Sequence, residues 1–241
     1  KEPIFGWTPF FFAAHHGHAH GLRAILDAKA KLADNCRRGN SALHLAARSG
    51  HCTAVELLLE RGVPSVDHRN EQGWTALMFA SMHGHADVTA SLISARIAPG
   101  IGDLEERTAG MWAARHGHVS VVKVLLDAGQ LLDQEDVDGL TIMDHAREYL
   151  EIRAAITAKH EANQRLITAV ERADHSAAAH ALSAGAQVES RDNAGRTVLA
   201  LALAKGSAGL VRLLVQRGAN SPILGATMCA TDMAKILSET L

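Results

Sequence analysis

The sequence has little of three things: aromatic residues, cysteines and charge of one sign. Its 24 Lys and Arg nearly balance its 26 Asp and Glu, which gives a formal net charge of −2. Because proteins that bind nucleic acid usually carry a clear excess of Lys and Arg, this balance excludes nucleic acid as a general partner. Cys36, Cys52 and Cys229 are too few and too scattered for a disulfide framework, so we expect a reducing compartment.

Long apolar runs are also missing. No stretch approaches the roughly 18 to 20 apolar residues that cross a bilayer, and the N-terminus lacks the pattern of a signal peptide. The sequence therefore predicts a cytoplasmic protein without a membrane partner. Because the chain begins Lys1-Glu2-Pro3 without an initiator Met, we expect it to be a fragment or the ordered part of a longer chain.

The residue patterns of common catalytic and cofactor sites are missing as well. There is no glycine-rich phosphate loop, no Gly-x-Ser-x-Gly elbow, no Cys-x-x-Cys pair and no kinase pattern. His160-Glu161 opens a zinc-helix pattern, but the second His that this pattern requires does not follow. The sequence accordingly predicts a protein that is not an enzyme and that holds no cofactor.

What is present is an internal repeat. Gly-His pairs begin at Gly17, Gly50, Gly84 and Gly117, which are 33, 34 and 33 residues apart by subtraction. A Thr or Ser precedes each pair by nine residues, and small residues such as Ala46-Ala47 lie between the two markers. A period of this length indicates stacked repeats and decides the fold prediction for the chain.

Each marker of the repeat has a physical role. The Thr or Ser is expected to cap the first helix, and the Ala pairs allow neighbouring helices to approach closely. Gly supplies the positive φ that ends this helix, and we expect the following His to form a structural hydrogen bond across that turn. Val and Leu residues such as Val121-Val122 then form a stripe that packs on the next repeat, because one repeat cannot bury its apolar face alone.

The second copy, Ser41–His51, reads Ser-Ala-Leu-His-Leu-Ala-Ala-Arg-Ser-Gly-His. It resembles the ankyrin repeat, whose consensus sequence is Thr-Pro-Leu-His-x-Ala-Ala-x-x-Gly-His. Four consecutive copies over residues 6–138 agree with it in period, motif and order. The resemblance implies an all-α ankyrin-repeat solenoid of stacked helix-turn-helix units with short β-turn fingers. It also implies a non-catalytic scaffold that binds another protein through the concave surface made by the fingers and first helices.

Beyond residue 138 the sequence matches the repeat motif less closely. A fifth copy opens at Gly139 and carries Leu150-Glu151 in place of Gly-His. We therefore assign residues 1–160 to repeats 1 to 5. The pattern leaves open whether the junction at 157–164 bends the solenoid or divides it.

The C-terminal residues, 161–241, are assigned to three further repeats. The sixth is shortened, with helices predicted at 164–174 and 175–184. A seventh repeat starts at Gly195, and a truncated eighth starts at Gly225. We expect these repeats to continue the same solenoid.

The candidate contact residues lie before the first helix of a repeat and at its end. Trp7 and Trp74 occupy the finger position that faces outward in ankyrin-like proteins, where aromatic side chains commonly anchor partners. The predicted surface consists of Trp7, His15, His16, Asn40, Arg48, Ser49, Trp74, Met82, His83, Arg107, Arg115 and His116. Because this set mixes aromatic, basic and titratable groups, we expect a partner with an acidic segment; a merely solvated face is the alternative for the charges.

Three other features have a structural interpretation. The four His residues within His15–His20 suggest metal, but helices stacked about 8 to 10 Å apart would not bring repeated His residues onto one ion, so no metal site is predicted. A weak adventitious metal at this segment is the alternative. The acidic run Asp133–Asp138 lacks the Gly and Glu of a calcium loop and is predicted to be a solvated fingertip. Trp112 lies within a first helix and is predicted to pack.

Two other functions remain open. Phe5 and the run Phe10–Phe12 make the first repeat apolar where a free solenoid end should be polar, which favours a structural subunit of a large cytoskeletal or axonemal assembly. The other alternative is the regulatory ankyrin tail of a larger, kinase-like protein. It rests on the similarity of Thr75–Ala80 and Met111–Ala114 to ankyrin repeats of protist families, some of which are joined to kinase domains.

Overall fold

The chain divides into two compact units, Lys1–Ile156 and Thr157–Leu241. The computed structural model describes residues 7–28, 35–62, 66–192 and 194–219. Phe5, Cys229 and the predicted eighth repeat from Gly225 lie outside the described residues.

The described residues form thirteen α-helices, which confirms the all-α prediction. In chain order they are α1 Pro9–His15, α2 Ala19–Asp27, α3 Ala42–Ser49, α4 Cys52–Glu60, α5 Ala76–Met82, α6 Ala86–Ser94, α7 Ala109–Arg115, α8 Val119–Asp127, α9 Ile142–His145, α10 Leu150–Glu171, α11 His175–Ser183, α12 Val198–Ala204 and α13 Ala208–Gln216. A short 3-10 turn, Arg37–Gly39, precedes α3.

The Thr or Ser of each repeat stands at the start of a first helix, as predicted. The hydroxyls of Thr75, Thr108 and Thr197 accept hydrogen bonds of 3.2 to 3.4 Å from the backbone N–H three residues on. Such a cap stabilises a helix by about 1 kcal/mol, because it satisfies a donor that has no partner within the helix. Thr8 differs, since its side chain makes no capping bond and α1 instead begins at Pro9, which has no N–H to satisfy.

The second repeat has a more elaborate start. The Nδ1 atom of His44 accepts hydrogen bonds from the backbone N–H and the hydroxyl of Ser41, at 3.2 and 2.7 Å. Because a backbone N–H can only donate, Nδ1 is unprotonated, and Nε2–H donates to the carbonyl of Trp74 in the next repeat at 3.0 Å. Burial lowers the pKa of His44 to about 4, against the opposing effect of the Trp74 bond. The side chain therefore links two repeats in its neutral form.

In the first unit the helices form two columns. The first helices, α1, α3, α5, α7 and α9, contact one another in sequence, and the second helices, α2, α4, α6 and α8, do the same. The small residues of the wording, Ala46, Ala47, Ala80, Ala113 and Ala114, are completely buried where the first helices meet. A larger side chain at these positions would force the helices apart, which explains why the core uses Ala and Leu and few aromatic rings.

The Gly of each Gly-His pair is constrained by the next repeat as well as by its own turn. Gly84 has a φ of +78°, and a Cβ at this position would lie 2.6 Å from the ring of His118. His118 donates Nε2–H to the carbonyl of Met82 at 2.9 Å, and His85 donates to that of Arg48 at 3.1 Å. The predicted structural role of these His residues is confirmed with one correction: the bond crosses to the preceding repeat and caps its helix end, rather than spanning its own turn.

The fifth repeat keeps the ring contact with a different residue. A Cβ at Gly117 would lie 2.4 Å from the ring of Tyr149. Tyr149 thus takes the place that the sequence assigned to Leu150-Glu151, and those two residues instead begin α10. The assignment was wrong because the contact requires a flat ring on the Gly of the previous repeat, and a tyrosine supplies one.

In the third, fourth, fifth and seventh repeats the finger turn is closed by one Asn or Asp. The Oδ1 atom of Asp103 accepts hydrogen bonds from the N–H groups of Glu105 and Arg107, both at 3.0 Å. The same pair of bonds forms at Asn70, Asp136 and Asp192. These side chains hold the turn in place of a backbone partner, which is the usual reason for Asn and Asp in turns.

Asp136 corrects the prediction that the whole run Asp133–Asp138 is a solvated fingertip. Its side chain is 2% exposed, and Oδ2 lies 2.8 Å from Nε2 of His145. Burial alone would raise the pKa of Asp136, but hydrogen bonds from Leu140 N–H, His145 and Asp138 N–H outweigh burial and lower it. The run therefore contains one buried structural anion among exposed acids.

Helix α10 spans Leu150–Glu171, so the predicted junction at 157–164 and the assigned boundary after residue 160 both fall inside a continuous helix. In the second unit its C-terminal part packs with α11, α12 and α13 around a core that includes Leu166, Leu199 and Leu214. Helix α11, His175–Ser183, agrees with the predicted 175–184 to within one residue.

The turn between α10 and α11 has no Gly-His pair. Ala173 takes the left-handed conformation, with a φ of +55°. Asp174 follows, and its Oδ1 accepts a hydrogen bond of 2.9 Å from the N–H of Ala177. The second unit therefore closes this turn with a side-chain cap of its own.

Candidate interaction surface

The predicted contact residues occupy three positions in each of the first four repeats. Counted from the Thr or Ser that begins the first helix, these are the residue before it and the seventh and eighth residues after it. The residue before is Trp7, Asn40, Trp74 or Arg107, named the finger position. The seventh and eighth residues, named the helix-end surface, are His15, His16, Arg48, Ser49, Met82, His83, Arg115 and His116.

The two Trp residues at the finger position are partly buried, which corrects the expectation that they face outward. The ring of Trp74 lies 4.5 Å from that of Trp112 in the next repeat and 4.9 Å from that of Phe79. The ring of Trp7 lies 4.8 Å from that of His15. Both pack against the core of the first unit, because ring-on-ring contact removes apolar area from water.

Arg107 is held in place at the finger position of the fourth repeat. Its guanidinium lies 4.4 Å from the ring centroid of Trp112 and donates to Asp103 at 3.2 Å. It also forms an ion pair with Glu105 of the same finger. Asn40 is also fixed, since its Oδ1 accepts a hydrogen bond of 2.8 Å from Asn70. These two finger positions therefore contribute to the fold as well as to the surface.

The helix-end surface is more exposed and carries positive charge. Its exposed members are His16, Arg48, His83, Arg115 and His116. The guanidinium of Arg115 lies 6.0 Å from the ring centroid of Trp112, on the same ring that Arg107 covers. Among the ion pairs formed by the described residues, none uses Arg48 or Arg115. Both cations are thus available to a carboxylate from outside.

His83 and His116 have a defined tautomer. The Nδ1 atom of each lies 2.9 Å from a carbonyl oxygen four residues earlier, that of Phe79 or Trp112. A carbonyl oxygen only accepts, so Nδ1 carries the hydrogen, and Nε2 is the ring atom that can meet a partner. Burial lowers the pKa of His83; its bond to Phe79 opposes this effect, and nearby positive charge such as Arg48 adds to it.

His15 and Ser49 contact each other. The Ser49 hydroxyl lies 2.9 Å from Nδ1 of His15, which joins the first and second repeats. Burial lowers the pKa of His15, and the neighbouring His16 and Arg48 lower it further. These two members of the helix-end surface therefore also take part in stacking.

Trp112 packs as predicted, with 8% of its surface exposed. Its indole N–H donates to Asp103 at 3.0 Å, which ties the first helix of the fourth repeat to its own finger. The prediction omitted two exposed apolar residues, Leu104 and Val137, each 65% exposed at a fingertip. Their signal in the sequence is an apolar residue four positions before the Thr, where the third repeat has Glu71.

Neither a metal cluster nor a membrane-spanning helix is present in the described ranges. No three His, Cys, Asp or Glu side chains there come together as a possible metal site. None of the helices in the described part of the chain has both the length and the apolar character needed to cross a bilayer.

The repeated helix pairs match a known family. The family model described as ankyrin repeats, in three copies, matches residues 1–67 and 63–136, together more than half of the chain. The chain belongs to the ankyrin-repeat family. The helix-end surface and the finger positions of its ankyrin repeats 1 to 4 lie within the matched residues.

Curated proteins match about a third of this ankyrin-repeat chain. Probable E3 ubiquitin-protein ligase XBOS32 of Oryza sativa subsp. japonica is 43% identical over 83 residues, 34% of this chain and 16% of that protein. E3 ubiquitin-protein ligase XBAT33 of Arabidopsis thaliana is 42% identical over 86 residues, 35% of this chain and 17% of that protein. Transient receptor potential cation channel subfamily A member 1 of Homo sapiens is 32% identical over 93 residues, 37% of this chain and 8% of that protein. The matched region is thus less than a fifth of each of these relatives.

Proposed function

We propose that this ankyrin-repeat chain is a non-catalytic scaffold in the cytoplasm that binds a partner protein through the fingers and first helices of its first unit. Ankyrin repeats generally mediate protein–protein interaction. The observation that carries the proposal is the cluster in the fourth repeat, where the guanidinium groups of Arg107 and Arg115 lie 4.4 and 6.0 Å from the ring of Trp112. Arg is one of the residue types that most often dominate binding energy at protein interfaces, and the buried Trp112 ring holds two of them at this surface.

The partner segment is proposed to be acidic. Arg48 and Arg115 are exposed and form no ion pair within the described residues, so a carboxylate can reach them without displacing an existing partner. His83 and His116 each add Nε2 as a hydrogen-bond acceptor, because Nδ1 of both rings donates to a carbonyl of its own helix. Charge-assisted hydrogen bonds between Arg and carboxylate are about twice as strong as neutral ones and add geometric specificity.

The experiment combines Arg48→Ala with Arg115→Ala in the full 241-residue chain. The chain carries a proximity label in its native cells, and the labelled proteins are quantified by mass spectrometry. The strongest partner is then titrated against both chains. We expect the double variant to bind it about tenfold more weakly, because two exposed cations at the contact are lost.

A matched variant controls for the loss of charge. Arg23→Ala with Lys123→Ala also removes two exposed cations of the first unit, but from the second helices α2 and α8. This variant is expected to bind as the unchanged chain does. If the partner binds the Arg48 and Arg115 variant with unchanged affinity while circular dichroism reports an intact fold, the proposed surface is wrong. Trp74 is unsuitable for this test, since its ring packs against Phe79 and Trp112.

A second candidate is that the repeats form the binding part of a longer protein. Two of the relatives are named as ubiquitin-protein ligases, and the match covers 16% and 17% of them. This observation favours the tail-like arrangement in general rather than a kinase in particular. The full-length open reading frame, read from the transcript, tests it: a catalytic domain joined to these repeats would support it.

The cytoskeletal alternative receives less support. Phe10 and Phe11, on which it partly rested, are 8% and 2% exposed and belong to the core of the first unit. Phe12 is 44% exposed and leaves one aromatic side chain of this run at the surface. Recovery of the protein in the detergent-insoluble cytoskeleton would favour this alternative, and a monodisperse monomer in gel filtration would count against it.

A further inference from the structure

The fourth and fifth fingers expose apolar side chains at neighbouring tips. Leu104 and Val137 occupy the same position in their fingers, directly after Asp103 and Asp136, and each is 65% exposed. The N–H of Val137 donates to the carbonyl of Glu105 at 3.1 Å, so the two tips are joined by their backbones. A single exposed apolar side chain is ordinary, whereas two on joined tips give a small apolar patch.

Acidic side chains surround this apolar pair. Glu106, Glu135 and Asp138 are exposed, and in the described part of the chain no cation forms an ion pair with any of them. The tips differ in this respect from the helix-end surface, whose charged members are Arg48 and Arg115. The tips of the fourth and fifth fingers and the helix-end surface thus carry charge of opposite sign.

Glu106 adds a detail that packing does not explain. It has a φ of +59°, while the same finger position is Gly in the second, third and fifth repeats, Gly39, Gly73 and Gly139. A side chain in the left-handed region costs about 1 to 2 kcal/mol relative to Gly. The fourth finger therefore carries an acidic side chain at a position where Gly is the more stable choice.

We propose that the fourth and fifth fingertips dock a basic, apolar segment of a protein partner. Leu104 and Val137 cover one large apolar side chain of that segment. Glu106, Glu135 and Asp138 face Lys or Arg residues beside it, so charge complementarity selects the segment. The inference rests on the proposed function that these repeats bind a protein, and it assigns a second, oppositely charged contact to the finger edge.

The test uses a displayed library of random 16-residue peptides, selected on the full 241-residue chain. The same selection is run on three variants: Leu104→Ser with Val137→Ser, Arg48→Ala with Arg115→Ala, and Leu150→Ser. The last is the matched control, because Leu150 is 80% exposed in the same unit but lies outside the fingers. Peptides enriched on the unchanged chain are synthesised, and their affinities are measured by fluorescence polarisation.

We expect enriched peptides in which a large apolar residue adjoins Lys or Arg. Their affinity should fall about tenfold on the Leu104 and Val137 variant, since their apolar contact is lost, and should be unchanged on the Leu150 variant. Glu106→Gly, which removes strain as well as charge, should weaken binding of the same peptides while the protein stays folded. Their binding should also weaken as salt concentration rises.

Other results would overturn the inference and are distinguishable from failure of the proposed function. Enrichment of acidic peptides alone, lost only on the Arg48 and Arg115 variant, supports the helix-end surface and contradicts the fingertip site. Basic, apolar peptides that bind the Leu104 and Val137 variant as tightly as the unchanged chain also contradict it. If no peptide depends on either edge, both proposals are wrong.

Discussion

The turn between α5 and α6 in the first unit is built differently from the turn between α10 and α11 in the second unit. In the first unit, Gly84-His85 places a Gly beneath the ring of His118 and a His against the carbonyl of Arg48. In the second unit, Ala173-Asp174 makes an equivalent turn with neither residue, and Asp174 caps the next helix itself. The turn itself therefore does not require Gly-His. In the first unit Gly84 also leaves room for a ring of the next repeat, and His85 donates to a carbonyl of the preceding one.

The largest expected effect comes from placing alanine in each turn. Gly84→Ala should lower the free energy of unfolding of the first unit by about 3 to 4 kcal/mol, because a Cβ would meet the His118 ring at 2.6 Å and the backbone is left-handed. The reciprocal change, Ala173→Gly, should stabilise the second unit by about 1 kcal/mol. Urea unfolding followed by hydrogen exchange in each unit measures both. A loss at Gly84 of about 1 kcal/mol, the size of the backbone effect alone, would mean that the ring of His118 places no constraint on this position.

The next effect is a loss of stability in acid that is confined to the first unit. The pKa of His44 is about 4 when folded, against about 6.5 when unfolded, so its contribution is complete above pH 6.5 and is lost as the pH falls towards 4. The loss amounts to about 3 kcal/mol. The described part of the second unit contains no buried His, so the effect of His44 has no counterpart there. Hydrogen exchange at pH 7, 5.5 and 4.5 separates the two.

His44→Met provides the control for the acid effect. The third and fourth repeats carry Met78 and Met111 at this position, where the sulfur accepts from the N–H of Thr75 and Thr108 at 3.5 and 3.4 Å. The variant should lose the bond to Trp74 but also most of the pH dependence between 6.5 and 4. A pH dependence that persists in the variant would assign the effect to another group.

A smaller effect is expected from the bond between repeats. His118→Leu should cost about 2 kcal/mol, because it leaves the carbonyl of Met82 without its donor and changes the packing on Gly84. Asp174→Ala should cost about 1 kcal/mol, the usual value of a lost helix cap. Thermal unfolding at two scan rates gives both values. Equal losses at the two sites would mean that the bond from His118 to Met82, between two repeats, stabilises the protein no more than a local helix cap does.

The smallest effect compares two fingers. Glu106→Gly should stabilise the first unit by about 1 kcal/mol, and Gly139→Glu should destabilise it by a similar amount, because a Cβ at Gly139 meets no atom and only the backbone conformation is at stake. Chemical denaturation of the two single variants measures this. If Glu106→Gly destabilises the protein, the glutamate makes a contact in the fold that offsets its strained backbone.

The regular repeats were predictable because each residue of the repeat motif has a physical role that its residue type indicates. Thr75 and Thr108 cap first helices, and the small residues Ala80 and Ala113 lie where helices meet. Tyr149 was not predicted because the repeat motif has a His at this place. In the fifth repeat the ring that lies on Gly117 belongs to a Tyr. A different residue type therefore fills the same physical role, and this is visible only in the three-dimensional contact.

The candidate surface was only partly predictable. The exposed charges Arg48 and Arg115 lie where the repeat register places them. Trp74 was expected to face outward, and its burial depends on Trp112, a neighbour 38 residues away by subtraction, which no local pattern reports. The buried position of Asp136 was likewise hidden, because an acid in an acidic run looks solvated until His145 is placed beside it.

The bonds from His85 and His118 to the preceding repeat also give the stack a direction. At each of these two interfaces the later repeat supplies the donor and the earlier repeat supplies the acceptor, the carbonyl of Arg48 or Met82. In evolutionary terms, a tandem duplication of one whole period adds a donor and an acceptor already in register, so the array can lengthen without compensating changes.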